Sequence, residues 1–141
     1  MKKQSGFSLL EIMVVLVIIG MIMAIVAPNI MGQQEEAKID KARIDISALE
    51  DAMNMYKLRN NRYPTTEQGL EALVEETTIE PLPKRFPEGG FIEKLPVDPW
   101  ESPYQLVSPG EFSKIDIFSM GPDGVAGTED DIGNWDDEDE R

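Results

Sequence analysis

The sequence contains no cysteine and no histidine among its 141 residues. A disulfide is therefore impossible, and cysteine or histidine nucleophiles, the usual zinc sites and Ser-His-Asp triads are excluded as well. A globular part outside the cytoplasm would need another stabilising feature in place of a disulfide, because small exported domains often depend on disulfides. The chain is long enough for one domain plus one extra element.

Positive charge is scarce, since 13 Lys and Arg residues face 27 Asp and Glu residues and the formal net charge is −14. Nucleic-acid binding needs a basic face that displaces counterions, so this composition argues against a nucleic-acid partner. Acidic residues concentrate at the end of the chain, where residues 136–141 read "DDEDER". We interpret this segment as a solvated acidic tail.

One long apolar run extends from Phe7 to Ala27. As a helix, a run of this length rises roughly 30 Å, which matches a bilayer core and exceeds the h-region of a secretory signal. Lys2 and Lys3 precede it, so the N-terminus should stay cytoplasmic and the rest be exported. The run predicts a transmembrane helix over residues 7–28. Three residues interrupt it: Ser8, Glu11 and Gly20.

A carboxylate inside this run, Glu11, needs a functional explanation, because it costs about 2.5–3.5 kcal/mol at a bilayer centre. If a protease cuts after Gly6, a new amine appears on Phe7, one helical turn from Glu11. The pair can form within one chain or between neighbouring subunits. Between subunits it would fix the register of an apolar bundle, because each ion leaves water only when it is paired.

Gly20 and Pro28 are two weak points of the predicted helix. A proline inside a helix removes one backbone hydrogen bond and clashes with the carbonyl four residues earlier. The residues allow two interpretations: a simple kink at the membrane edge, or a segment between Gly20 and Pro28 that melts or stretches when subunits pack into a fibre.

Apolar residues at helical spacing continue after the run, and they predict a helix over residues 29–60. The breadth of the apolar face favours a helix laid on a sheet over a coiled coil. A first row has spacings of three and four: Ile39, Ala42, Ile46, Leu49, Met53 and Tyr56. A second row is expected to widen the face: Ile44, Ala48, Ala52 and Met55.

The remainder of residues 29–141 predicts a small domain. "TTEQGLEALVEE" indicates a short helix over residues 66–76, capped by Thr65 or Thr66 with Gln68 or Glu67 reaching back. Alternating segments near residues 103–108 and 113–119 flank the turn "SPGE" and predict a hairpin. The segment "FIEKL" is a candidate third strand. The predicted class is α+β, with a small antiparallel sheet packed on the long helix.

An acidic, glycine-rich loop covers residues 120–135 and gathers Asp123, Asp130 and Asp131. Three adjacent carboxylates repel one another unless a hard cation such as Ca²⁺ binds them, and glycines allow loop carbonyls to turn inward. The spacing is not that of an EF-hand. From the residues alone, a calcium site and a solvated acidic loop remain equally good interpretations.

The N-terminal stretch "GFSLLEIMVVLVIIG" resembles the type IV pilins and the pseudopilins of type II secretion. Three further segments, "NMYKLRNNRYPTTEQGLEAL", "LPVDPWESPYQLVSPG" and "DIFSMGPDG…DDIGNW", resemble the major pseudopilins, so the resemblance spans nearly the whole chain except its tail. It implies a type IV pilin-like fold in which half of the long helix lies in the membrane and half in the domain.

The resemblance also implies roles for individual residues. A prepilin peptidase is expected to remove the leader 1–6 after Gly6 and to methylate the new N-terminus, Phe7, while Glu11 serves assembly. Asp123, Asp130 and Asp131 are expected to bind Ca²⁺. Three backbone carbonyls are expected to complete the calcium site: those of Met120, Val125 and Thr128.

The implied function is that of a major pseudopilin, which is not an enzyme. The subunit would enter the inner membrane by a single pass, keep its domain in the periplasm, and polymerise into a periplasmic fibre that helps export folded proteins. The implied partners are other copies of the chain, minor pseudopilins, an inner-membrane platform with a cytoplasmic ATPase, and the outer-membrane secretin.

Three alternatives remain at this point. A type IV pilin of a surface fibre is disfavoured, because such a pilin would be expected to close its C-terminal region with a disulfide. A monomeric membrane-anchored calcium-binding module would gain nothing from Glu11. An anchored hydrolase with paired carboxylates lacks evident pocket residues.

Overall fold

The structure, a computed structural model, describes residues 8–135, apart from the side chains of residues 25–31. The chain divides into two compact units, residues 1–37 and 38–141. Within the described residues the elements are α1 (Leu9–Asn60), a 3-10 helix (Leu70–Leu73), β1 (Gln105–Val107), β2 (Asp116–Ser119) and β3 (Ile132–Gly133).

In the first unit, Ser8 sets the start of α1. Its hydroxyl oxygen accepts a hydrogen bond from the Leu10 amide at 3.3 Å, and its carbonyl accepts one from the Ile12 amide at 3.2 Å. Every side chain from Leu9 to Ala24 is exposed. Over the described residues, no helix combines the length and the apolar character that crossing a membrane requires.

α1 is continuous through Gly20 and Pro28, and the role of these two residues in a fibre stays a prediction. The helix ends at Asn60, where the sequence predicts its end. Asn61 follows with a positive φ of 62°, a conformation that stops a helix. The Asn60 side chain also donates a hydrogen bond to the Tyr56 carbonyl at 3.1 Å.

In the second unit, the first apolar row of α1 forms the helical side of the core. Leu49, Met53 and Tyr56 are almost completely buried, and Ile39 is partly buried against the same hydrophobic cluster. Burying an aliphatic side chain of this size stabilises the fold by about 1.5–3 kcal/mol. The row therefore supplies a large part of the hydrophobic stabilisation of this unit.

The second apolar row does not widen the buried face as predicted. Ala52 is buried, but Ile44 is 69% exposed, Met55 is 51% exposed and Ala48 is exposed. The strands are only three, four and two residues long, so the sheet is too small to bury a wide face of the helix.

The helix predicted over residues 66–76 is a single 3-10 turn, Leu70–Leu73. The predicted hydrogen bonds between Thr65 and Gln68 form, but they close the turn before the 3-10 helix: the Thr65 amide donates to Gln68 Oε1 at 3.0 Å, and the Gln68 amide donates to Thr65 Oγ1 at 3.2 Å. The helix itself has Gly69 at its N-cap, with no side-chain capping bond, so the predicted helix cap is wrong. Gly69 then adopts a φ of +64°, and a Cβ there would lie 2.2 Å from Glu71 Oε2. This left-handed residue prevents an α-helix from continuing through the segment.

The strands form one antiparallel sheet in the order β1-β2-β3, with Leu106 opposite Ile117 and Ser119 opposite Ile132. Leu106, Ile117 and Ile132 are buried in the same hydrophobic cluster as the α1 row. The predicted α+β class, with a helix packed on a small antiparallel sheet, is therefore confirmed.

Both predicted strands are shorter than expected. The amides of Glu111, Phe112 and Ser113 donate to the Asp116 carboxylate, so they are not available for a longer ladder before β2. At the start of the other segment, Pro103 makes only an isolated bridge with Val97.

The third strand is β3, at the end of the acidic loop, and not the segment "FIEKL". The amides of Phe91 and Ile92 donate to the Leu73 carbonyl, at 2.7 and 3.3 Å, so this segment pairs with the 3-10 helix instead of the sheet. A two-residue strand carries too little alternation for its sequence to indicate it.

Candidate functional site

The N-terminal candidate residues fall into two groups. Gly6 and Phe7 lie outside the described residues, so the predicted cleavage site and the pairing of the new amine with Glu11 stay predictions. Glu11 lies in the first turn of α1, where the positive end of the helix dipole favours a carboxylate. Its neighbours in the helix are exposed apolar side chains, including Ile12 and Val15.

The acidic loop connects β2 to β3 and thereby brings its own two ends together. Gly121 begins the loop with a φ of +62°, and a Cβ at this position would lie 2.3 Å from the Asp130 carbonyl oxygen. Only glycine permits this close approach of the two backbone segments. The sequence therefore places Asp123 and Asp130 side by side although they are seven positions apart in the chain.

The three predicted aspartates organise the loop through hydrogen bonds to its backbone. The Val125 amide donates to Asp123 Oδ1 at 2.8 Å, and the Asp123 amide donates to Asp130 Oδ2 at 3.2 Å. The Gly127 amide donates to Asp131 Oδ2 at 2.7 Å. Each carboxylate thus accepts a hydrogen bond from a backbone amide that has no neighbouring strand to pair with, because the loop is too irregular to join the sheet.

One of these carboxylates has a shifted pKa. The Thr128 hydroxyl donates to Asp130 Oδ1 at 2.6 Å, and this hydrogen bond is the main cause that lowers the pKa of the Asp130 carboxyl below its ordinary value. Desolvation opposes the shift, and the hydrogen bond from the Asp123 amide adds to it. The loop therefore favours the negatively charged form of Asp130.

The carboxylate and carbonyl oxygens of the loop are the kind of ligand that a hard cation prefers, but they are not grouped around one common point. Among residues 8–135, no three acidic side chains are grouped in a way that could hold a metal ion. One carboxylate oxygen of the loop, Asp131 Oδ1, is buried and has no hydrogen-bond partner. The other carboxylate oxygens keep spare lone pairs after their hydrogen bonds, which leaves capacity for coordination.

Two of the predicted backbone ligands already accept hydrogen bonds within the loop. The Val125 carbonyl accepts one from the Thr128 hydroxyl at 3.0 Å, and the Thr128 carbonyl accepts one from the Asp131 amide at 3.3 Å. Met120 lies between the end of β2 and Gly121. All of the donors that the sequence proposes are oxygens, the kind that Ca²⁺ prefers.

Asp98, which was not predicted as a functional residue, is a buried carboxylate that reaches the start of the acidic loop. Asp98 Oδ1 accepts hydrogen bonds from the amides of Trp100 and Ser102, at 3.0 and 2.7 Å. The Ser119 hydroxyl donates to Asp98 Oδ2 and accepts a hydrogen bond from the Gly121 amide. Only the position of Asp98 before a proline could have suggested a turn with such a role.

Comparison with known proteins places the chain in a family. Residues 1–27 match the family described as "Prokaryotic N-terminal methylation motif", and residues 29–135 match "Type II secretion system (T2SS), protein G". The two matches join near Pro28, the boundary that the sequence predicts between the apolar helix and the domain.

Individual relatives agree with these matches. The chain is 62% identical to the type II secretion system core protein G of Aeromonas hydrophila over 134 residues, 95% of this chain and 94% of that protein. It is 57% identical to the core protein G of Escherichia coli K12, over 94% of this chain and 92% of that one.

A solved structure agrees as well. The major pseudopilin from the type 2 secretion system of enterohaemorrhagic Escherichia coli is 56% identical, with a TM-score of 0.73 over 75% of this chain and 89% of that chain. These comparisons give no support to a type IV pilin or to a monomeric anchored calcium-binding module. The chain belongs to the protein G family of type II secretion, the family of the major pseudopilins.

Proposed function

We propose that this chain is the subunit that polymerises into the periplasmic pseudopilus of a type II secretion system. The fibre helps to move folded proteins through the outer-membrane secretin. The observation that carries the proposal is that a methylation motif over residues 1–27 and a protein G domain over residues 29–135 occur together in one chain. The first supplies the means of assembly, and the second supplies the surface of the fibre.

The proposed processing follows from the first of these matches. A prepilin peptidase cuts after Gly6 and methylates Phe7, and Glu11 then pairs with the Phe7 amine of a neighbouring subunit. Minor pseudopilins and an inner-membrane platform with a cytoplasmic ATPase act on the processed subunit. The subunit itself is structural and catalyses nothing, which is consistent with a family of structural secretion-system components.

The proposed location is the inner membrane, with a cytoplasmic N-terminus and a periplasmic domain. Supporting it are the apolar run from Phe7 to Ala27 and the positive charges of Lys2 and Lys3 before that run. Envelope localisation also agrees with the methylation motif. After assembly the domain lies in the periplasmic fibre.

We further propose that the acidic loop binds Ca²⁺ through Asp123, Asp130 and Asp131. The support is the oxygen-only donor set and the buried, unpartnered Asp131 Oδ1. Bound calcium would neutralise the negative charge of the loop and restrain it, the role that a disulfide plays in other small exported domains. The carbonyls of Met120, Val125 and Thr128 are the proposed backbone ligands.

Processing is the direct test of this function. In a host with the peptidase, mass spectrometry of the purified protein should show Phe7 at the N-terminus, heavier by one methyl group. Gly6→Leu should retain the leader, because a bulky side chain replaces the smallest one beside the cleaved bond, whereas the matched variant Gly6→Ala should still be processed. An unprocessed wild-type protein that begins at Met1 would contradict the proposal.

Secretion tests the fibre itself. In a strain that lacks its own core protein G, this chain should restore export of a folded secreted protein, and overproduction should yield fibres visible by electron microscopy. A processed protein that gives neither export nor fibres would show that it is not the fibre subunit.

A further inference from the structure

An aromatic groove lies beside the acidic loop in the second unit. Phe112, Phe118 and Trp135 line a cavity of about 430 Å³. The Trp135 ring centroid lies 4.7 Å from that of Phe112 and 5.8 Å from that of Phe118. Phe112 is nevertheless 66% exposed. Aromatic rings in contact with one another at an open surface are a frequent feature of binding sites.

The loop that presents Phe112 is held firmly in place. The buried Asp116 carboxylate accepts hydrogen bonds from the amides of Glu111, Phe112 and Ser113, at 2.5, 3.1 and 2.9 Å. On the other side, the Asn134 side chain donates to the Ile115 carbonyl at 2.9 Å and accepts from the Ile117 amide at 3.0 Å. The exposure of Phe112 is therefore built into the fold and does not result from a loose loop.

The charge around the groove selects a cationic occupant. Glu111 and Glu129 line the groove and are exposed, and within the described residues neither carboxylate has a hydrogen-bond or ion-pair partner. Aromatic faces next to carboxylates favour an Arg or Lys side chain, which stacks on the rings and pairs with the acids. The chain's own tail does not fit, because "DDEDER" carries five acids and one base.

The same chain carries a segment with the complementary character. Lys84 and Arg85 are adjacent and exposed, and their side chains form no ion pair within residues 8–135. Leu82 precedes them and is 50% exposed. The backbone of this segment is anchored, since the Arg85 amide donates to Asn60 Oδ1 at 2.9 Å and Gln68 Nε2 donates to the Pro81 carbonyl at 2.9 Å.

We propose that residues 81–85 of one subunit dock into the aromatic groove of a second copy of this chain. Arg85 or Lys84 stacks on Phe112 and Trp135 and pairs with Glu111, while Leu82 covers the apolar edge. A groove and its complement on different parts of one chain give a head-to-tail contact, which extends into a fibre when it does not close into a ring. This contact rests on the proposed function as a fibre subunit.

Cysteine cross-linking tests the contact directly, because the natural chain has no cysteine background. The full-length double variant Arg85→Cys with Glu111→Cys, oxidised within sheared fibres, should give a ladder of covalent oligomers. Each single variant should give no ladder. In the control, Glu111→Cys is combined with Glu76→Cys in place of Arg85→Cys. Glu76 is exposed and lies outside residues 81–85, so this pair should also give no ladder. Fibres without a ladder, or an equal ladder from the control, would overturn the contact.

Charge exchange provides a second readout that needs no thiol. Arg85→Glu should reduce fibre yield at least about tenfold, because like charges placed opposite each other cost more than the ~1.4 kcal/mol that a factor of ten represents. Glu111→Lys should do the same, and the two substitutions together should restore the yield. Absence of rescue, or single variants with wild-type yield, would overturn the contact while leaving the fibre function intact. A wild-type chain that forms no fibres would overturn both.

Discussion

The two compact units of this chain differ in where their apolar side chains lie. In the first unit, every described side chain from Leu9 to Ala24 is exposed, although nearly all of them are apolar. In the second unit, apolar side chains of α1, the 3-10 helix and the sheet form one buried cluster. The second unit thus contains its own hydrophobic core, whereas the described apolar side chains of the first unit lie exposed.

This difference separates assembly from stability. A substitution in the first unit should change the assembly of the chain with other subunits and leave the folding of the second unit unchanged. A substitution in the core of the second unit should change the free energy of unfolding first and affect assembly only through loss of folded protein.

Glu11→Leu should abolish assembly. The variant should enter the membrane at least as well as the wild type, because a desolvation cost of about 2.5–3.5 kcal/mol is removed, and it should still be cleaved after Gly6. Fibres and secretion should be lost because the neighbour's amine loses its partner. Fibre yield and thermal unfolding are measured together, and normal fibres from this variant would contradict the register role of Glu11.

Leu49→Ala should destabilise the second unit by about 2–5 kcal/mol, because the side chain is almost fully buried and its removal leaves a cavity. The matched control is Ile44→Ala on the same helix, where the side chain is 69% exposed and the expected change is within about 0.5 kcal/mol. Denaturant unfolding of the detergent-solubilised chain measures both. Equal effects would show that the two rows of α1 share one core.

Calcium removal should destabilise the second unit by roughly 2.7 kcal/mol when the ion is first present at a hundredfold excess over its Kd. Asp123→Ala and Asp131→Ala should show the chelated behaviour even in excess calcium. Glu129→Ala removes a carboxylate of the same loop that is not a proposed ligand, so it should keep the response to calcium. A wild-type protein with the same melting temperature in calcium and in chelator would contradict the site.

Thr65→Ala should cost about 1 kcal/mol of stability or less, because the Gln68 amide loses Thr65 Oγ1 as an acceptor but keeps the Thr65 carbonyl at 3.0 Å. Thr78→Ala, at an exposed threonine, is the control and should be nearly neutral. Thermal unfolding distinguishes them. If both variants melt like the wild type, the hydrogen bond from the Gln68 amide to Thr65 Oγ1 contributes nothing measurable to stability.

Sequence patterns predicted the features that repeat over many residues. The end of α1 at Asn60, the buried row from Ala42 to Tyr56 and the hairpin of β1 with β2 all follow from helical spacing or alternation. The hydrogen bonds between Thr65 and Gln68 were also predictable, although not their place in a turn before the helix, because the two residues lie three apart and bind each other locally.

Features that depend on distant contacts were not predictable. The exposure of Ile44 and Met55 depends on how far the sheet extends, and β3 forms only because Gly121 and Asp130 bring the acidic loop back on itself. The roles of Asp98 and Asp116 depend on which amides the fold places around their carboxylates. At the acidic loop, the sequence indicated the oxygen donors but not the hydrogen bonds that occupy them.

The brevity of the strands has a consequence for solubility. The sheet's outer strands, Gln105–Val107 and Ile132–Gly133, are only three and two residues long, so each offers few free backbone groups to an incoming strand. Short edges of this kind suppress the indiscriminate strand addition that leads to amyloid-like aggregates. A protein that must pack against its own copies at high local concentration is thereby restricted to contacts made by side chains, which can be specific and reversible.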